Sequence, residues 1–145
     1  MIYIQQNANN QIFVNVSEYK TLPAPYYLWR LQNSQGRNII SFIPENITTS
    51  YPSMYANKYD VFEFTTYLSG ATNLIYSGLS ACNLHLENEN QYWLSIYETA
   101  YLSTNINLAG EKLLNQLAFV FPPTDNNFYS GNTALTQSNV IYYNS

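Results

Sequence analysis

Apolar side chains in this chain recur at every second residue, in runs too short to be anything but strands. Ile2 and Ile4 alternate with Tyr3 and Gln5, and Ile12, Val14 and Val16 alternate with Phe13 and Asn15. Successive side chains of a strand point to opposite faces, so each run offers one face for burial. The polar stretch NANN between them is turn chemistry, and the two runs predict a first β-hairpin or two neighbouring strands. Leu22-Pro23-Ala24-Pro25 then breaks the pattern, because two prolines cannot both donate to a ladder. In the next run Tyr26, Leu28 and Arg30 share one face, and Tyr27, Trp29 and Leu31 the other. A turn over Gln32–Arg37 carries Gly36, and the return strand Asn38–Ile43 stops at Pro44.

The remainder continues in the same style. Glu45–Lys58 reads as loop and Tyr59–Tyr67 as a strand closed by Ser69-Gly70-Ala71. Leu74–Tyr76 and Cys82–Leu86 are short strand candidates, and LENENQ is a polar turn before the aromatic run Tyr92–Glu98. Asn105–Leu114 alone has a helical flavour, which Gly110 weakens enough to make a turn or loop an equal expectation. Leu117–Phe121 is a strand ended by Pro122-Pro123, and the polar tail closes on Val140-Ile141-Tyr142-Tyr143. Seven to nine short strands with frequent turns and almost no helix predict an all-β fold, an antiparallel sandwich or barrel. Trp29 and Trp93 are the expected core residues of central strands. Cys82 is the only cysteine, so a disulfide-bonded antibody-type domain is excluded.

The chain has 145 residues, the length of one domain, here residues 1–121 followed by a tail, 122–145, that docks on a partner or on the domain itself. Charged residues make up 10% of it, against a usual figure of about 25%. Fifteen tyrosines and abundant asparagine must therefore wet the surface. Neutral polar groups solvate without repelling a second copy, and Tyr and Asn make contacts at modest entropic cost, so the composition suits a protein that sits against other molecules; the codons of an AT-rich genome, which favour Asn, Tyr, Ile and Lys, are the alternative source, though Lys is scarce here. The net charge is −4 and the five basic residues are scattered, which argues against nucleic acid and against a polybasic membrane anchor. No apolar run approaches the roughly 20 residues of a spanning helix. MIYIQQNANN lacks the basic and apolar regions of a signal peptide, so folding in a reducing cytoplasm is expected. On the same ground the sequons Asn15-Val16-Ser17 and Asn46-Ile47-Thr48 read as chance matches.

No catalytic, cofactor-binding or metal-binding set emerges. His85 is the single histidine, with Leu84 and Leu86 pointing away from it, and reads as a solvent-facing strand residue. Asp60, Glu63, Glu87, Glu89 and Glu98 are the carboxylates that could pair for glycoside hydrolysis, but no spacing selects a pair. Glu98, at the end of an aromatic strand, could cap a turn or bond to a neighbouring strand. Cys82 has no adjacent base and reads as a small buried hydrophobe. Calcium through Glu87 and Glu89 lacks the Asp-rich spacing of a loop site, and the isolated glycines cradle no phosphate. Sugar-binding surfaces use aromatic faces beside amides, and Tyr26, Tyr27, Trp29, Tyr92, Trp93 and Tyr97 could serve wherever a ribbon face is exposed.

Several segments in order resemble a group of small structural proteins of Bacteroidetes-infecting phages, including crAss-like phages. They are Met1-Ile2-Tyr3-Ile4-Gln5, Ser17-Glu18-Tyr19-Lys20-Thr21-Leu22, Pro25-Tyr26-Tyr27-Leu28, Phe42-Ile43, Lys58–Phe64 and Tyr92–Glu98, so that the likeness covers about residues 1–121. The chain departs from the group at 111–116, where a glycine is missing, and from Pro122 onward. The resemblance implies an immunoglobulin-like or related β-sandwich and no catalytic residues. It further implies a virion component, assembled in the bacterial cytoplasm and bound to the major capsid protein or other virion proteins, or to itself. The expected contacts are the N-terminal strand, the 45–58 loop and the tail. The alternative expectation is a carbohydrate-binding or adhesion module displayed on the particle.

Overall fold

A computed structural model describes residues 1–33, 39–50, 59–67, 72–78, 80–86, 91–122 and 140–141. They form ten strands: β1 (Ile2–Gln5), β2 (Asn9–Val14), β3 (Tyr26–Asn33), β4 (Ile39–Phe42), β5 (Glu45–Asn46), β6 (Asp60–Tyr67), β7 (Asn83–His85), β8 (Gln91–Thr99), β9 (Ala109–Phe121) and β10 (Val140–Ile141). Three single-turn 3-10 segments interrupt them, at Ser17–Tyr19, Thr48–Ser50 and Ile106–Leu108. The predicted turns at 34–37 and 87–90, the 51–58 part of the predicted loop, and most of the tail lie outside the described residues.

The strands make two sheets packed face to face. Sheet 1 has the order β1-β9-β8-β3-β4; sheet 2 has β10-β2-β6-β5, with β7 also paired to β6. The sandwich is therefore as expected, but its sheets are mixed rather than purely antiparallel: β1 runs parallel to β9, β10 to β2, and β7 to β6. The predicted first hairpin is also replaced. β1 pairs with β9, Ile2 opposite Ala118 and Ile4 opposite Val120, while β2 pairs with β6 in the other sheet. The chain crosses between layers at residues 6–8, where Asn7 takes a left-handed φ of 53°, a conformation that Asn tolerates better than most residues. Asn10 stabilises this crossing: its Oδ1 accepts from Gln5 N at 2.9 Å and its Nδ2 donates to the carbonyls of Gln5 and Ala8. Buried Gln6 donates from Nε2 to Leu86 O at 2.9 Å.

The inner faces agree with the alternation. Ile2, Ile4, Ile12, Trp29, Leu31, Phe42, Leu84, Leu94, Ile96 and Val120 are all fully buried in one continuous core. Trp29 is its centre, with ring centroids 5.1 Å from Phe62 and 5.8 Å from both Phe42 and Phe64. A second, smaller cluster of Phe13, Ile47, Val61 and Tyr59 closes the outside of sheet 2. It explains why Phe13 is buried although it faces away from Ile12 and Val14.

The helical expectation for 105–114 reduces to one turn. Asn105 Oδ1 accepts from Asn107 N at 3.0 Å, Ile106–Leu108 completes a 3-10 turn, and β9 then runs for 13 residues. Leu113 and Leu114 thus belong to a strand, whose register against β8 slips between Ile96 and Tyr97 and again between Tyr97 and Thr99. Gly110 sits in this irregular part because the backbone closes on β8: a Cβ there would lie 3.2 Å from Glu98 O. Val140–Ile141 of the tail pairs with Gln11 and Ile12 of the same chain.

Candidate functional site

Among the described residues, Asp60 and Glu98 are committed to structure rather than converging on a cleft. Asp60, on β6, is buried and accepts from Val16 N at 3.1 Å and Ser17 N at 2.7 Å. Glu98, on β8, is fully buried and accepts from Thr21 N, Thr21 Oγ1 and Leu22 N at 2.8, 2.6 and 2.8 Å. One acid from each sheet therefore pins one end of the 16–22 segment, which carries the chain from β2 in sheet 2 to β3 in sheet 1. Burial pushes the Glu98 pKa up, but the hydrogen bonds from Thr21 and Leu22 outweigh it, and the carboxyl titrates below its ordinary range. Tyr27 lies between these acids; burial first, then the charges of Asp60 and Glu98, push its phenol up to about 12. Glu63 accepts from Asn9 Nδ2 across the β2–β6 pair, and Glu87 and Glu89 lie outside the described residues.

His85 is half-buried on β7 between the buried Leu84 and Leu86. Cys82 is buried against the core, and desolvation pushes its thiol up to about 12, the behaviour of a small hydrophobe rather than a nucleophile. Among the described residues no three His, Cys, Asp or Glu side chains group as metal ligands.

The sequence-based expectation fails at Trp93. Strand β8 turns Tyr92, Leu94, Ile96 and Glu98 inward, so Trp93, Ser95 and Tyr97 face out, and Trp93 is 45% exposed. The alternation is the same whichever set is buried, and Tyr92 supplies a ring for the core as well as Trp93 would. The outward set lies on an ordered grid. Gln32 of β3 stands opposite Trp93, Arg30 opposite Ser95, and on the far side Asn115 and Lys112 of β9 stand opposite Ser95 and Tyr97. Ser95 Oγ donates to Asn115 Oδ1 at 3.0 Å, and Lys112 Nζ lies 5.6 Å from the centre of the Tyr97 ring. These side chains enclose an open groove of about 350 Å³, near the lower end of the roughly 300–1,000 Å³ usual for small-ligand sites. Arg30 Nε is buried there with no hydrogen-bond partner among the described residues.

The same outer face continues onto β1 and β9 as an aromatic cluster. Tyr3 stacks on Phe121 with centroids 5.0 Å apart, and Phe119 meets Phe121 edge-on at 5.1 Å. A second depression of about 380 Å³ opens at one end of the sandwich, between Tyr26, Pro44, Tyr76 and Leu102. It is more apolar, and no cation lines it among the described residues. No protein-family model matches the chain, and neither does any curated protein or solved structure.

Proposed function

We propose that this protein is a non-enzymatic component of a bacteriophage particle, an auxiliary or decoration protein that binds the capsid shell or other virion proteins. The virion part of this reading rests on the ordered segments from Met1 to Glu98 that resemble phage structural proteins. The observation that carries its association part is the aromatic outer face of β1 and β9. Tyr3 and Phe121 stack in the open, 37% and 38% exposed, on the edge strand of sheet 1 and its neighbour. Exposed aromatic clusters of this kind mark interaction surfaces, and an array of identical shell sites would multiply a modest affinity per contact.

An immunoglobulin-like topology is part of the same proposal. In that fold strands G, F and C lie side by side in one sheet and B, E and D in the other. The orders β9-β8-β3 and β2-β6-β5 follow this plan. Trp29, buried on β3, would correspond to the buried strand-C tryptophan of that plan, packed here against Phe62 and Phe64. Mass spectrometry of purified particles tests the virion role: many copies per particle are expected, and absence from particles removes it. Tyr3→Ser and Phe121→Ser should lower incorporation without unfolding the domain.

The exposure of Trp93 favours a second reading, a saccharide-binding module, for the groove on the same sheet. Its test is a glycan microarray, on which binding must disappear in Trp93→Ala.

A further inference from the structure

We propose that the groove over Arg30, Trp93 and Lys112 binds a saccharide bearing an anionic group, a carboxylate or a sulfate. This rests on the saccharide-binding reading and names the class of ligand. The chain has only five Lys and Arg residues and a net charge of −4, yet two of the five line this one groove and, among the described residues, no Asp or Glu does. Arg30 lines the groove, and its planar guanidinium suits a forked carboxylate or sulfate. Lys112, exposed on β9, adds a second cation on the opposite bank.

Charge alone would suit any small anion; the indole selects a sugar. Trp93 stands one step along β8 from the Arg30–Ser95–Asn115 row, roughly 7 Å away at about 3.3 Å per residue. A ring stacked by its C–H face on Trp93 would thus place a neighbouring acidic substituent over Arg30, with Gln32 and Ser95 as partners for hydroxyls. From Trp93 to Tyr97 the groove extends about 13 Å, room for a short oligosaccharide. Two cations on a chain of net negative charge are too few to track a phosphodiester backbone, so single-stranded nucleic acid is the less suited ligand.

The test uses the full chain on a microarray of carboxylated, sulfated and neutral glycans, followed by calorimetry with the best binder and its neutral counterpart. Carboxylated or sulfated glycans should be retained in preference to neutral ones, and the affinity should fall as salt is raised. Trp93→Ala should abolish binding, and Arg30→Gln and Lys112→Gln should each weaken it roughly tenfold, as expected for losing one charge-assisted contact. Lys112 is exposed, so its variant keeps the test independent of folding. Equal binding of neutral counterparts, or unchanged affinity in both charge variants, overturns the anionic assignment and leaves the saccharide reading standing. Failure to bind any glycan, unchanged affinity in Trp93→Ala, or tighter binding of a thymidine decamer overturns both.

Discussion

Removing the Glu98 carboxylate should unlatch the crossing from sheet 2 to sheet 1. In Glu98→Ala the backbone N–H groups of Thr21 and Leu22, which now donate at 2.8 Å, lose their buried acceptor. Hydrogen bonds to a charged group contribute about 1.5–3 kcal/mol, and because Thr21 is exposed and Leu22 half-buried, water replaces part of them, so the expected loss is about 2–3 kcal/mol. Against a total of roughly 5–15 kcal/mol for a domain, that is a large share. Glu98→Gln keeps the shape and one acceptor oxygen but sets an NH2 group against donors, for an expected loss of about 1–3 kcal/mol. Urea unfolding at pH 7, followed by near-ultraviolet circular dichroism, reads both values, with an unchanged m-value required. The pH dependence supplies an independent check. Because the folded pKa of Glu98 lies below its unfolded value, the stability it contributes is present above the unfolded pKa of about 4.3 and is lost as pH falls through the folded pKa. The Gln variant takes up no proton there, so its deficit against wild type should narrow on acidification below about pH 4.3. A loss below about 0.5 kcal/mol in Glu98→Ala, or a Gln deficit that stays constant from pH 5 to about pH 3, would refute the latch.

Further outcomes follow from burial. Iodide should quench the emission of Trp93 and not that of Trp29, and Trp93→Phe should remove the quenchable component. The Cys82 thiol should resist a disulfide reagent such as DTNB in the native state at pH 8 and react on unfolding, since burial holds it up to about 12. Trp29→Ala should cost about 3–5 kcal/mol, whereas Trp29→Phe should cost distinctly less, because it also removes the indole N–H, which has no hydrogen-bond partner among the described residues. Tyr27 should ionise well above the ordinary tyrosine range in an alkaline titration followed at 295 nm. Its raised pKa adds stability below pH 10 that is lost as pH rises toward about 12.

The groove shows how far sequence reasoning reaches a site. The aromatic richness of 91–98 was plain, and so was the possibility that an exposed ribbon face binds sugars. That Arg30 and Lys112, 82 positions apart, flank Trp93 was not, because it needs both the β3–β8 and the β8–β9 registers. The partners of Glu98 were hidden for the same reason: Thr21 and Leu22 are distant in the chain and reach it only after the sheets have packed.

Local chemistry determined where β1, β2, β3, β4, β6, β7 and β8 extend. Period-two runs set the strands, and the prolines and the polar NANN stretch set the breaks. In β1 the aliphatic phase also set the inward face, because Tyr3 and Gln5 on the opposite side are less apolar than Ile2 and Ile4. Tertiary structure decided the rest. It placed β1 beside β9 rather than β2, drew 109–116 into a strand by pairing with β8, and turned Trp93 outward. The physical reason is that alternation fixes only which residues share a face. Which face is buried, and against what, depends on ladder bonds and packing between segments that can lie more than a hundred residues apart, whose energies are not written in either segment by itself.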